Sequence, residues 1–108
     1  MPATSSLASF HLGQIVRHKE FGYRGVVYDV DPAYQGSDAW FDRNAGAQPA
    51  SKEAPWYYVI VDEEEGETYV PEQHLEADES GEPVWHPELD DLFGDFRNGS
   101  YIPRQLAN

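Results

Sequence analysis

The segment 24–31, RGVVYDVD, constrains the fold more than any other part of the chain. Val26, Tyr28 and Val30 occupy alternate positions, and two aspartates lie among the residues between and after them. Alternation with a period of two is typical of a half-buried antiparallel strand. We therefore expect these three side chains in the core. Pro32 ends the strand because proline cannot donate a hydrogen bond to a β-ladder.

A second segment, 56–62 (WYYVIVD), predicts a strand with apolar side chains on both faces. Tyr58 and Ile60 share one face, and Val59 and Val61 share the other. One of these two pairs is expected to join the core. Apolar groups on both faces favour either a central strand or a strand with one face against another subunit.

The rest of the chain predicts short elements separated by tight turns. Gly66 lies in a short acidic turn. This turn connects the strand at 56–62 to the next strand, so the two are expected to form a hairpin. Ser37 is a candidate cap for a short helix. The further elements that we expect are strands at 14–19 and 67–71, a last short strand at 74–77, a helical turn over 38–45 and a helix beginning near 86–89. The fold class is therefore mainly β, and the compact solution is a small, strongly bent antiparallel barrel with short helical insertions.

The length of 108 residues corresponds to one domain. We expect a flexible tail at 1–9, the β-barrel domain at 10–77 and a loop and helix extension at 78–108. No signal-peptide pattern and no apolar run of membrane-spanning length is visible. The chain has no cysteine, which suits a reducing compartment. These features predict a soluble cytoplasmic protein without a membrane partner.

The charge balance is strongly acidic. Seven lysines and arginines stand against 20 aspartates and glutamates, which gives a formal net charge of −13 at pH 7. Affinity for nucleic acid rests mainly on cations that neutralise phosphates. An excess of acids of this size argues against non-specific DNA binding and leaves only a local basic patch as a candidate.

No set of residues predicts catalysis. The serines lie in tails and loops, and none occupies a Gly-x-Ser-x-Gly elbow. Asp29 and Asp31 are better explained as a solvated strand face than as a catalytic pair. The acidic turn at 62–67 lacks the spacing of a calcium loop, and the four histidines have no metal-ligand pairing. We expect no enzymatic activity, no catalytic residue, no cofactor and no metal site.

One cluster mixes cations with an aromatic ring. Arg17, His18 and Lys19 precede a glycine-flanked turn that carries Tyr23 and Arg24. These five residues, the basic cluster, are candidates for contact with nucleic acid or with a protein partner. The alternative is that the cations form ordinary ion pairs with some of the 20 acids.

Aromatic side chains outside a small core predict self-association. Trp40 and Phe41 lie in the insertion between the two main strands, and Trp56 and Tyr57 begin the strand with two apolar faces. We expect these four residues at a subunit interface.

Three sequence blocks resemble one family. They are GQIVRHKEFGYRGVVYDVDP at 13–32, APWYYVIVD at 54–62 and TYVPEQHL at 68–75. They occur in the order and at about the spacing of the YccV-like, hemimethylated-DNA-binding family, whose bacterial stand-alone members are heat shock proteins. The resemblance covers about residues 10–77, and 78–108 fits only as a variable tail.

The resemblance implies an SH3-like β-barrel and a non-enzymatic role in the stress response. It also implies binding to hemimethylated DNA near the replication origin, turnover of the replication initiator, modulation of a Lon-type protease and assembly into trimers. Within these options, the acidic surface favours an adaptor that works through protein contacts. The alternative is a DNA-binding module that uses the basic cluster.

Overall fold

The computed structural model describes residues 8–44 and 50–104. Its main element is an antiparallel sheet of five strands in the order β4-β3-β2-β1-β5. The strands are β1 (Ile15–His18), β2 (Arg24–Asp31), β3 (Trp56–Val61), β4 (Glu67–Pro71) and β5 (Leu75–Ala77). The mainly β class and the antiparallel strands are confirmed. Closure of the sheet into an SH3-like barrel stays a prediction.

Short helices and a second hairpin complete the described chain. They are α1 (Asp38–Asn44), a 3₁₀ turn at Glu72–His74, α2 (Leu89–Leu92), β6 (Phe93–Arg97) and β7 (Ser100–Pro103). The hydroxyl of Ser37 accepts a hydrogen bond from the Trp40 amide at 3.0 Å, so the expected cap forms. The expected helical turn reached Ala45, which lies outside the described residues. No helix within 8–44 or 50–104 is long and apolar enough to cross a membrane.

A β-bulge interrupts the alternation in β2. Val27 pairs with Val59 and Asp29 with Tyr58, so the register shifts between them. A bulge adds one unpaired residue and changes which face the following side chains occupy. The expectation that Val26 and Val30 share a face is therefore wrong, because they pack in different clusters. Tyr28, at the bulge, is only half-buried.

The sheet buries apolar side chains on both faces. One cluster contains Val26 and Ile60, and the other contains Val27 and Val59. The side chains of these four residues are almost completely shielded from solvent. Both faces of β3 thus contribute to the core, which corrects the expectation that only one of them would.

The chain itself covers the second face. Val84, Phe93 and Tyr101 pack in the cluster of Ile15, Val26 and Ile60. The expected loop and helix extension therefore contains a β-hairpin and part of the core. Burying these three side chains removes much of the apolar surface that would otherwise call for a neighbouring subunit.

A close backbone contact joins this C-terminal segment, residues 78–104, to the sheet. The Tyr101 amide donates to the Gly13 carbonyl oxygen at 2.8 Å, and Gln14 and Ser100 form an antiparallel bridge. Gly13 has a φ of 90°, and a Cβ there would lie 1.8 Å from the Tyr101 carbonyl oxygen. Only glycine fits both the conformation and the space.

The expected flexible tail, residues 1–9, lies mostly outside the described residues. Its last residue is attached to the 3₁₀ turn at Glu72–His74, because the Ser9 amide and hydroxyl both donate to the Glu72 carboxylate at 2.9 and 3.1 Å.

Candidate partner-binding groove

The guanidinium of Arg24 is occupied by acidic and carbonyl groups of its own chain. It lies 3.0 Å from Asp62 and 3.1 Å from Asp78, and it also donates to the Glu82 carbonyl oxygen. The side chains of Arg24, Asp62 and Asp78 are 20%, 14% and 5% exposed. This guanidinium therefore connects β2 to the C-terminal segment and has little capacity left for a phosphate.

Arg24 also affects the ionisation of Asp78. Burial alone would raise the pKa of this carboxyl. Hydrogen bonds from Ser80 and the charge of Arg24 outweigh that effect and hold the pKa below its usual value. Asp78 therefore remains charged and continues to engage the guanidinium.

The other two cations of the basic cluster are on the surface. Arg17 forms an ion pair with Glu76 at 3.0 Å, with 51% and 42% of the two side chains exposed. Lys19 is exposed, and its backbone amide donates to the His74 carbonyl oxygen at 2.8 Å. The basic cluster thus offers one exposed ammonium and one partly neutralised guanidinium.

His18 is buried and serves the turn after β1. Its Nδ1 accepts hydrogen bonds from the amides of Glu20 and Phe21 at 3.1 and 3.0 Å. The ring lies against Phe21, Tyr23 and His74, with centroid distances of 4.6 to 5.6 Å. Burial, followed by the proximity of His74, lowers the pKa of His18, while Glu20 opposes this shift. A lowered pKa favours the neutral His18 ring, in which Nδ1 can accept the two hydrogen bonds from the backbone amides.

Tyr23 also has an internal partner. Its hydroxyl shares a hydrogen bond with the Thr68 hydroxyl at 3.1 Å, and burial raises its pKa. The structure brings His18 and Tyr23 together, whereas Arg17 and Arg24 bind separate acids. The basic cluster therefore does not form a single cationic surface.

A groove with a volume of about 610 Å³ adjoins the basic cluster, and His18 and Tyr23 of that cluster are among the residues that line it. All five residues of β4 line it, together with the turn after β1 and with Trp40 of α1. Phe21, on that turn, is 71% exposed at the rim. No lysine or arginine is among the described residues that line this groove.

Four aromatic rings form a continuous row along the groove. Tyr28, Tyr58, Tyr69 and Trp40 come from β2, β3, β4 and α1, and successive ring centroids are 5.8, 4.6 and 5.8 Å apart. We call these four residues the aromatic row. Each is half-buried, so part of each side chain remains available to a ligand.

Carboxylates hold the three tyrosines of the aromatic row in position. Asp31 accepts hydrogen bonds from the hydroxyls of Tyr58 and Tyr69 at 2.9 and 2.7 Å, and Glu67 accepts one from Tyr28. Burial, followed by the adjacent carboxylates, raises the pKa of all three tyrosines. The rings are therefore neutral at physiological pH and lie in a negative field.

Of the residues that line this groove, the sequence analysis named only His18, Tyr23 and Trp40 as candidates for contact with a partner or subunit. The sequence pattern assigns Asp31 to a solvated strand face, whereas in the structure it accepts hydrogen bonds from the hydroxyls of Tyr58 and Tyr69. The only sequence signal was the number of tyrosines in β2, β3 and β4. Neither the register between these strands nor the position of α1 can be read from that number.

The four residues expected at a subunit interface differ in exposure. Trp56 and Tyr57 are 1% and 0% exposed within the single chain. The Tyr57 hydroxyl donates to Glu72 at 2.5 Å, and burial, followed by this hydrogen bond, raises the pKa of Tyr57 to about 12. Trp40 and Phe41 are half-buried. Of the four, only Trp40 and Phe41 present a substantial surface to a partner.

The chemistry of the groove is that of a binding surface. Among the described residues, no group of three or more histidines and acids is arranged to hold a metal ion. The hydroxyls of Tyr58 and Tyr69 are bound to Asp31, and the hydroxyl of Tyr28 is bound to Glu67. Half-buried aromatic faces combined with a few polar groups form a lining that is suited to binding a ligand.

The fold and the groove define a small, mainly β binding domain. The chain belongs to the YccV-like family: residues 8–100 match the family model described as "Hemimethylated DNA-binding protein YccV like". This is a family of non-catalytic binding domains. The match extends beyond residue 77 and includes Val84 and Phe93, which cover the second face of the sheet.

Proposed function

We propose that this protein is a non-enzymatic adaptor that modulates proteolysis through protein contacts. In this role it resembles HspQ, the stand-alone heat shock type of the family. Its partners are a Lon-type protease and the clients of that protease, among them the replication initiator, as the family resemblance implies. The site of action is the cytoplasm.

One observation carries the proposal: the available surface beside the basic cluster is aromatic and acidic. Arg24 is held by two aspartates, and Arg17 is paired with Glu76. The groove displays aromatic rings, and Phe21 is exposed at its rim. Exposed aromatic side chains are favoured anchors of protein interfaces.

A reconstituted degradation assay tests this proposal. A purified Lon-type protease digests the replication initiator with and without this protein, at physiological salt. We expect the degradation rate to depend on the concentration of the added protein. An unchanged rate at every concentration contradicts the proposal.

The second candidate function is binding of hemimethylated DNA, which the description of the family supports. The net charge of −13 opposes it, since the field of the whole chain repels a polyanion. Lys19 and Arg17 are the exposed cations of the basic cluster that would contact phosphates.

A duplex titration separates the two candidates. We expect no sub-micromolar binding of hemimethylated duplex at physiological salt. Sub-micromolar binding that is lost in Arg17→Ala/Lys19→Ala, but kept in the control Lys52→Ala/Arg97→Ala, would favour the DNA function. Both double variants remove two exposed cations, so the net charge changes equally. Arg24 is left intact because it binds Asp62 and Asp78, so its loss is expected to destabilise the fold.

Self-association belongs to this proposal, and the family resemblance favours a trimer. Because the C-terminal segment covers the second face of β3, an interface would use the surfaces that remain apolar. These include Ile102 and Leu12, which are 47% and 40% exposed. Sedimentation at micromolar concentration is expected to detect a species heavier than 12.2 kDa. A monomer alone contradicts this part.

A further inference from the structure

The groove follows an edge strand of the sheet in the described part of the chain. β4 is the last strand in the order β4-β3-β2-β1-β5 and pairs with β3 on one side. All five residues of β4 line the groove. An edge strand of this kind offers backbone groups to an extended segment of another protein, while neighbouring side chains select its residues.

The side chains along this edge select for positive charge. Glu20 and Glu67 line the groove and are exposed, and Asp31 accepts hydrogen bonds from the hydroxyls of Tyr58 and Tyr69. A ring face beside carboxylates attracts a cation, because the quadrupole of the ring and the negative charges act in the same direction.

The aromatic row is preorganised for such a ligand. The hydroxyls of Tyr28, Tyr58 and Tyr69 are each fixed by a carboxylate, so little side-chain entropy remains to be lost on binding. Close contacts between neighbouring rings restrict the rotamers further.

A similar arrangement already holds a cation of this chain. The Lys52 ammonium lies 4.8 Å from the centroid of the Phe41 ring and 2.7 Å from the Asp38 carboxylate. This pair lies on the exposed side of α1. It shows that an ammonium shared between a ring and a carboxylate is compatible with this surface.

We propose that the groove binds an extended basic segment of a partner protein, with an arginine side chain stacked on the aromatic row beside Glu67. This proposal rests on the proposed adaptor function and names the chemistry of the partner. Arginine suits the row because its planar guanidinium stacks on rings and also donates to a carboxylate. DNA does not suit the groove, since Glu20 and Glu67 repel phosphates.

A peptide titration tests the proposal on the full chain. The probe is fluorescein-labelled hexa-arginine at physiological salt, with hexa-citrulline as the uncharged isostere. Fluorescence anisotropy measures both affinities. We expect hexa-citrulline to bind about tenfold more weakly, because it lacks the charge that ring faces and carboxylates recognise.

Matched variants locate the binding site. Trp40→Leu is expected to weaken hexa-arginine binding about fivefold, whereas Trp85→Leu, at an exposed tryptophan outside the groove, changes it less than about twofold. Glu67→Gln is expected to weaken binding about threefold, and Glu64→Gln, with the same change of charge in the acidic turn, less than about twofold.

Two results overturn the proposal. One is equal affinity for the two peptides. The other is a loss of affinity in the control variants as large as in the groove variants, which would assign binding to the overall acidic charge. If Trp40→Leu fails to fold, the comparison of Glu67→Gln with Glu64→Gln still decides, because glutamine keeps an acceptor for Tyr28.

The failure of this inference can be distinguished from failure of the adaptor function. The peptide titration contains no protease, and the degradation assay contains no peptide. If Trp40→Leu and Glu67→Gln modulate proteolysis as the wild type does and also keep its affinity for the peptide, only the proposal of binding at the groove is refuted. Peptide binding at the groove with no effect of the wild-type protein on proteolysis refutes only the adaptor function.

Discussion

The side-chain hydroxyl of Tyr101 satisfies both backbone hydrogen-bonding groups of Val84. It accepts a hydrogen bond from the Val84 amide at 2.9 Å and donates one to the Val84 carbonyl oxygen at 3.2 Å. Both residues are 5% exposed. This pair lets an irregular stretch of the C-terminal segment lie in the core without leaving a buried amide or carbonyl unpaired.

Replacing Tyr101 by phenylalanine is therefore expected to destabilise the protein. The ring stays in the core, but the Val84 amide and carbonyl lose their partner, at a cost of about 2 kcal/mol. Urea denaturation measures the free energy of unfolding. Tyr34→Phe is the control, because its hydroxyl donates to the exposed Ser37 carbonyl oxygen. Equal losses in the two variants would contradict the role of the Tyr101 hydroxyl.

Three glycine-to-alanine substitutions are expected to separate two costs to stability, that of a positive φ and that of a steric clash. Gly13→Ala is expected to cost roughly 3 kcal/mol or more, because it combines a φ of 90° with a clash against the Tyr101 carbonyl. Gly22→Ala has a φ of 79° but open space, so about 1 kcal/mol is expected.

Gly66→Ala, with neither a positive φ nor a nearby atom, is expected to be nearly neutral. Thermal unfolding of the three variants gives the order. A Gly13→Ala protein as stable as Gly66→Ala would show that the close approach of Tyr101 to Gly13 is not needed.

Arg24 and Arg17 are expected to differ in their contribution to stability. Arg24→Ala leaves Asp62 and Asp78 close together without their cation, which is expected to cost about 2 kcal/mol, less than for a fully buried pair because Arg24 is 20% exposed. Arg17→Ala removes an exposed ion pair with Glu76, which is worth at most about 0.5 kcal/mol. Urea denaturation of both variants checks the difference, and equal costs would contradict it.

His18 predicts a loss of stability on acidification. Its folded-state pKa is lowered from 6.5, mainly by burial, so the unfolded state binds the proton more readily. The contribution of His18 is complete above about pH 6.5 and is lost as the pH falls through the folded-state pKa. The melting temperature of the wild type should therefore fall more steeply over this range than that of His18→Gln. Parallel profiles would contradict the prediction.

Most strands were predictable because their signals are local. Alternation in β2, the turn after β3 and the prolines at 32 and 71 depend on neighbouring residues, and the boundaries agree closely with the structure. The bulge in β2 was not predictable, because the sequence GVVYDV reads as regular alternation. The partner strand decides where an extra residue is accommodated.

The candidate site was predicted less well than the fold. His18 and Tyr23, neighbours in the basic cluster, do lie in contact, but the sequence does not show that Arg24 is bound by acids of its own chain. Its acidic partners, Asp62 and Asp78, lie 38 and 54 residues away along the chain. The aromatic row likewise joins β2, β3, β4 and α1. Contacts between residues so far apart in the sequence cannot be predicted from local sequence patterns.

The sequence by itself determined that this chain is a small, acidic, mainly β domain, because strand periodicity, turn residues and net charge are properties of neighbouring residues or of composition. Only the tertiary structure decided which cations are neutralised, which face the C-terminal segment covers and which rings meet in the groove. These features depend on the register between strands and on contacts across tens of residues. The same composition is compatible with many such pairings, and packing selects one of them.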